Sequence, residues 1–87
     1  MELSTPVSVD DVKDVLVQTL GVEDRADSIG PATPLFGSLP ELDSMAVLEL
    51  VLELEQRFAI TIEGEDVTAD AFETLESLTA LVDAKRR

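Results

Sequence analysis

The chain has 87 residues, which is enough for one folded domain with one core. Its 45% of hydrophobic residues favours folding over disorder, and its 3% of aromatic residues, beside abundant Leu, Val, Ala and Glu, favours helices over strands. A net charge of −13 argues against nucleic acid and anionic membranes as partners, and the absence of Cys and His removes disulfides, thiolates and the commonest general base.

The two ends of the chain carry no recognisable targeting signal. Residues 1–6 lack the basic start and the apolar run of a signal peptide, and no segment could span a bilayer. The chain starts with Met1 and ends in Lys-Arg-Arg at residues 85–87, without linker sequence. We therefore expect one complete cytoplasmic domain over residues 1–87, without membrane insertion.

The first predicted element is a helix that follows Ser8. This serine is a suitable N-cap, and Asp10 and Asp11 stand in the first turn, where the helix dipole favours acids. Gly21 is a typical helix stop. Between them, apolar residues recur at helical spacing: Val9, Val12, Leu16 and Leu20.

Between Gly21 and Leu42 the sequence loses its periodicity. Glycine and proline interrupt it at Gly30, Pro31, Pro34, Gly37 and Pro40. Loops of this length in a compact domain tend to be functional. We expect Leu35, Phe36 and Leu39 to pin the loop to the core, and the sequence allows a short helical turn within it.

The strongest helical pattern covers residues 44–58, with Asp43 as its N-cap. One side carries a core stripe at the spacing of a buried face: Val47, Leu50, Val51, Leu54 and Phe58. The other side carries three large apolar residues among polar ones: Met45, Leu48 and Leu52 beside Glu49, Glu53 and Gln56. Either the long loop covers these apolar residues, or they form a docking patch rimmed by acids. The interleaved acids favour docking, and the loop could still cover Leu48 alone.

The remainder of the chain is predicted to add two shorter elements. Residues 60–62 alternate like a strand but have no obvious partner, so we interpret them as a connector. A short helix is expected over residues 64–69 with Val67 inward, and a last helix follows Thr74 as N-cap. The last helix should face the core with Leu75, Leu78 and Val82 and end near Lys85, Arg86 and Arg87. The predicted fold class is therefore all-α: a small bundle of three main helices plus a short one.

Ser44 is the one nucleophile at a distinctive position, where the loop turns into a helix. A serine hydrolase needs a base beside its nucleophile, but the chain has no His, and its only lysines, Lys13 and Lys85, are predicted to be solvated. We therefore expect no catalytic residues and no enzyme activity. A serine that another enzyme modifies needs no such base. The acids over residues 63–70 lack the pattern of a calcium loop, so no metal site is predicted.

The residues around Ser44 resemble a known family. The run Leu42-Asp43-Ser44-Met45, followed by residues 47–55 and Phe58, is similar to helix II of acyl carrier proteins, in which an Asp-Ser-Leu motif bears 4'-phosphopantetheine on its serine. The similarity continues over residues 60–62 and 74–78, and more loosely over the first helix and the loop.

The resemblance implies that Ser44 carries the arm, whose thiol holds an acyl group as a thioester, and that Asp43 is the acid of the motif. The face that basic patches of partner enzymes recognise would comprise Met45, Leu48, Glu49, Leu52, Glu53 and Glu55. Candidate contacts of an acyl chain between the helices are Val47, Leu50, Leu54, Phe58, Ile62 and Leu78. These six residues are also expected to pack the core.

The resemblance also implies partners: a phosphopantetheinyl transferase, an acyl-loading ligase or transferase, and synthases with basic docking patches, in fatty-acid, polyketide or related acyl-transfer pathways. We expect a monomer. Departures from the family pattern at Pro40, Ala46, Gln56 and Arg57 favour a specialised carrier. The alternative is an unmodified acidic helical adaptor that binds a basic protein through the second helix, with Ser44 as a helix cap or a phosphorylation site.

Overall fold

A computed structural model describes residues 7–86, so Arg87 and the expectation for residues 1–6 lie outside it. Its elements, in chain order, are helix α1 (Val9–Leu20), a 3₁₀ helix (Glu23–Ser28), helix α2 (Leu35–Ser38), helix α3 (Ser44–Phe58), a second 3₁₀ helix (Gly64–Asp66) and helix α4 (Leu75–Arg86). Between residues 7 and 86 there is no strand, which confirms the all-α prediction and the connector at residues 60–62. No helix in this range is long and apolar enough to cross a bilayer.

Local capping determines where α1 begins and ends. The Ser8 hydroxyl oxygen accepts a hydrogen bond from the Asp11 N–H at 3.1 Å. At the other end Gly21 adopts a left-handed conformation with φ of 68°, and its N–H donates to the Val17 carbonyl. Glycine reaches this conformation without strain, so the helix ends there. Both predicted ends are confirmed.

The starts of α3 and α4 follow the same logic. A carboxylate oxygen of Asp43 accepts from the Ala46 N–H at 2.9 Å, and α3 ends at a left-handed Ala59. The Thr74 hydroxyl accepts from the Ser77 N–H at 3.1 Å, which caps α4. Both N-caps were predicted correctly from the sequence.

The core lies where α1 packs against α3 and α4. Each of the three long helices contributes a buried apolar face, and Leu75, Leu78 and Val82 of α4 are buried as predicted. Val47 and Phe58 of the predicted α3 stripe are half-buried and pack at its edge. Phe72, which belongs to no periodic pattern, is only 1% exposed.

The long loop is ordered and tied to the bundle. The Leu35 N–H donates to the Glu73 carbonyl at 2.8 Å, and the Glu76 N–H donates to the Pro31 carbonyl at 3.0 Å. Arg25 forms an ion pair with Glu41 just before α3. The two short helices, Glu23–Ser28 and α2, lie within this loop.

Two local predictions were wrong. Phe36 does not pin the loop to the core, because it is 49% exposed. Helix α2 is a single turn whose buried face is taken by Leu35 and by Leu39 four residues on, which turns Phe36 away from the core. The helix predicted over residues 64–69 is only a 3₁₀ turn, Gly64–Asp66.

Candidate functional site

Ser44 is the first residue of α3 and is exposed. The residue before it does the capping: the Asp43 side chain accepts from the Ala46 N–H, and the Asp43 carbonyl accepts from the Val47 N–H at 2.9 Å. The N-terminal end of a helix carries a partial positive charge that stabilises a nearby anion. Ser44 therefore offers an accessible hydroxyl in a place that suits a negatively charged group.

A groove of about 600 Å³ opens beside Ser44. Its walls come from the loop, from α3 and from the segment after the second 3₁₀ helix: Phe36, Leu42, Asp43, Ser44, Val47, Leu48 and Val67. Five of these seven residues are apolar, and the two polar ones are neighbours at the head of α3. The groove is therefore suited to an apolar or amphipathic ligand beside the Ser44 hydroxyl.

The outer face of α3 is open to solvent. Met45, Leu48 and Leu52 are 67%, 58% and 56% exposed, so the long loop does not cover them. Glu49 is exposed and Glu53 is half-exposed among them. An exposed apolar patch with acids inside and around it is typical of a protein-docking surface.

Glu55 differs from the other predicted docking acids. Its carboxylate accepts a hydrogen bond from the Ile62 N–H at 2.8 Å, and its side chain is half-buried. Glu55 therefore ties the end of α3 to the connector that follows it. A contact between Glu55 and a partner enzyme stays a prediction.

The six predicted acyl-chain contacts all lie in or beside the core. Four of them are buried, Leu50, Leu54, Ile62 and Leu78, and the other two, Val47 and Phe58, are half-buried. Only Val47 also lines the groove beside Ser44. Their packing role is therefore confirmed, while contact with an acyl chain stays a prediction.

Three residues that line the groove were not predicted from the sequence as site residues: Phe36, Leu42 and Val67. Leu42 is buried under the groove, and Val67 is half-buried on its far side. Two of the three lie in or at the end of the aperiodic loop, where no pattern indicates which side chains face a groove. Only Leu42 lies close to Ser44 in the chain, and that proximity was the one usable signal.

An ion pair holds the second 3₁₀ helix against α4. Lys85 Nζ lies 2.7 Å from a carboxylate oxygen of Asp66, whose side chain also accepts from the Glu63 N–H. The hydrogen bond from Lys85, followed by the one from Glu63, lowers the pKa of Asp66, and the same pair raises the pKa of Lys85. Within residues 7–86 no group of three or more acidic, His or Cys side chains is arranged to hold a metal ion.

Comparison with known proteins agrees with this geometry. The family described as "Phosphopantetheine attachment site" matches residues 10–82, a range that includes Ser44. An acyl carrier protein of Helicobacter hepaticus is 33% identical over 75 residues, which cover 86% of this chain and 92% of that protein. An acyl carrier protein of Brachyspira hyodysenteriae is 34% identical over 58 residues, or 67% of this chain and 72% of that protein.

The fold has a close structural counterpart as well. The solution structure of a holo acyl carrier protein from Nitrosomonas europaea matches with a TM-score of 0.81 and 34% sequence identity. The match covers 88% of this chain and 93% of that one.

Proposed function

The chain belongs to the acyl carrier protein family, and from that premise we propose that Ser44 is the residue to which its 4'-phosphopantetheine is attached. An acyl carrier protein is not a catalyst; it holds acyl groups on this prosthetic group and presents them to other enzymes. The observation that carries the proposal is that Ser44 is exposed at the head of α3 and lies beside an apolar groove, while its neighbour Asp43 caps the helix.

The attachment is a phosphoryl-group transfer from coenzyme A. The Ser44 hydroxyl oxygen attacks the phosphorus that bears the pantetheine half, so that one P–O bond forms to the protein. The P–O bond between the two phosphates of the pyrophosphate breaks, and adenosine 3',5'-bisphosphate leaves. The hydroxyl proton passes to a base of the transferase, because this chain has no His to take it.

Membership of the family implies a phosphopantetheinyl transferase and acyl-processing enzymes as partners. We propose that loading ligases or transferases and synthases dock through basic patches on the outer face of α3. The exposed apolar residues of that face and its acids Glu49 and Glu53 support this proposal. Charge complementarity gives fast encounter and exchangeable binding, which a carrier that visits several enzymes needs.

The remaining features of the proposed carrier are those expected from the sequence. We propose a specialised, monomeric and cytoplasmic carrier that forms one domain over residues 1–87. An acyl chain attached through the arm would pass along the groove beside Ser44 and reach the apolar residues around Val47. The unmodified adaptor is set aside, because the chain belongs to a family that carries phosphopantetheine.

Intact-mass measurement tests the attachment site. The apo protein is incubated with coenzyme A and a broad-specificity phosphopantetheinyl transferase, and we expect the mass of one phosphopantetheine to be added. Ser44→Ala should add none, while Ser38→Ala, a matched change at another exposed serine of the same region, should add one. The proposal would be contradicted if Ser44→Ala were still modified. It would also be contradicted if the folded wild-type chain were not modified while a control carrier was.

A further inference from the structure

Four large apolar side chains are exposed within residues 7–86, and one of them is not on α3. Met45, Leu48 and Leu52 lie on the outer face of α3, whereas Phe36 lies on α2. Scattered exposed apolar residues are ordinary, but a contiguous group of them marks an interaction surface. Phe36 therefore needs to be placed relative to the α3 patch.

Phe36 and the α3 patch meet at Ser44. Phe36 and Leu48 both line the groove that Ser44 also lines. The groove therefore joins the exposed apolar residue of α2 to the apolar patch of α3 beside Ser44. This composite surface comprises Phe36, Met45, Leu48 and Leu52.

Helix α2 holds Phe36 on a fixed backbone. Leu35 and Leu39, on either side of Phe36, are buried, and the Leu35 N–H donates to the Glu73 carbonyl at 2.8 Å. The aromatic side chain is thus presented by an anchored turn. Little backbone freedom remains to be lost when a partner covers the ring, which favours binding.

The charged residues between Arg25 and Arg57, the part of the chain that carries the composite surface, are all acidic. No Lys or Arg occurs between Arg25 and Arg57 in the sequence. Of these two flanking cations, Arg25 is paired with Glu41, and Arg57 donates a hydrogen bond to Gln18 on α1. The segments that carry the surface thus contain acids and no Lys or Arg, which fits a partner whose own surface is apolar at the centre and basic at the rim.

We infer that Phe36 is an anchor for the phosphopantetheinyl transferase that modifies Ser44, filling an apolar socket at the mouth of that enzyme's active site. The inference rests on the proposed attachment at Ser44. Ser44 and Phe36 line one groove, so an enzyme that brings a phosphate to the Ser44 hydroxyl comes close to the Phe36 ring. Aromatic side chains at the centre of an interface commonly contribute a large share of the binding free energy.

Steady-state kinetics of the modification test the inference. The apo chain and its variants are modified with coenzyme A and a broad-specificity transferase over a range of protein concentrations. Phe36→Ser should raise the KM for the carrier about tenfold and leave kcat within about twofold, because a docking contact is lost and the reacting atoms are untouched. Phe36→Leu should restore most of the loss, and Glu76→Gln, an exposed change on α4, should behave as wild type.

A measurement on the wild-type chain avoids dependence on the folding of a variant. When the transferase is titrated into the isotope-labelled apo protein, the ring signals of Phe36 should shift, whereas those of the buried Phe72 should stay in place. An unchanged KM in a folded Phe36→Ser variant, or no shift of the Phe36 ring signals, would overturn the inference while Ser44 is still modified. A wild-type chain that gains no mass would overturn the proposed function and the inference with it.

Discussion

The carboxylate of Asp43 accepts a hydrogen bond at 2.9 Å from the N–H of Ala46, three residues further along the chain. This bond caps α3 from the residue before Ser44. Asp43 therefore stabilises the start of the helix, and the adjacent Ser44 is the residue that we propose to be modified.

Replacing the cap should destabilise the fold. We expect Asp43→Ala to lower the free energy of unfolding by about 1 kcal/mol, because the Ala46 N–H loses its acceptor, whereas Asp43→Asn, which keeps an acceptor oxygen, should lower it by a few tenths. Urea denaturation followed by circular dichroism measures the difference. Equal midpoints for Asp43→Ala and wild type would show that another group caps α3.

Leu50 and Leu52 form a matched pair on α3, since the first is fully buried and the second is 56% exposed. Leu50→Ala should cost about 2–5 kcal/mol of stability, because it removes contacts and leaves a cavity in the core. Leu52→Ala should change stability by less than about 0.5 kcal/mol and affect docking instead. Thermal and urea unfolding of both variants, beside wild type, checks this. Similar losses in the two variants would mean that the face of α3 that packs inward has been misassigned.

Gly21 and Gly64 provide a second matched pair. Gly21 has a positive φ of 68°, whereas Gly64 does not, and a Cβ on either glycine would meet no atom within 4 Å. Gly21→Ala should therefore destabilise the fold by about 1 kcal/mol through backbone strain alone. Gly64→Ala should be nearly neutral. Denaturation midpoints measured side by side decide the point, and a neutral Gly21→Ala would contradict the assigned helix end.

The Asp66–Lys85 ion pair gives a defined pH window. Because the pair lowers the pKa of Asp66 below its ordinary 3.8, its contribution is present above that value and is lost as the pH falls through the lower pKa of the folded state. Because the pair raises the pKa of Lys85 above 10.5, the contribution is present below 10.5 and is lost as the pH rises through the higher folded-state pKa.

We therefore expect Asp66→Asn to be less stable than wild type between these limits, and the two stabilities to converge beyond either limit. Both side chains are partly exposed, so about 1 M salt should shrink the difference. Unfolding free energies of both proteins across the pH range at low and high salt test this. If the two unfolding free energies still differ well below pH 3.8, the ion pair is not the cause of the difference.

Charge reversal on the outer face of α3 should slow encounter with partner enzymes. Glu49→Lys is expected to raise the KM for the transferase several-fold at low salt, and about 1 M salt should remove most of this change. Glu76→Lys on α4 changes the net charge of the chain by the same amount as Glu49→Lys and serves as the control. An equal effect of the two reversals would point to net charge rather than to a docking face.

The long helices could be predicted because their ends are set by local chemistry. Ser8 and Asp43 accept N–H groups three residues ahead, and Gly21 takes a left-handed conformation that glycine adopts without strain, so short stretches of sequence are sufficient. The exposure of Phe36 and the burial of Phe72 depend instead on how the aperiodic segments pack on the bundle. No periodic pattern in the sequence predicts that packing.

The candidate site could likewise be predicted from the sequence only in part. Ser44, Asp43 and the outer face of α3 could be identified because they share one helix and one motif. The groove could not, because its walls at Phe36 and Val67 are separated in the chain and meet only in the folded protein.

Asp43 rather than Ser44 caps the start of α3, so a group attached to Ser44, as we propose, need not break the hydrogen bond between Asp43 and Ala46. The start of α3 would then keep the same cap before and after the modification. The enzyme that adds the arm and the enzymes that use it afterwards would meet the same helix start.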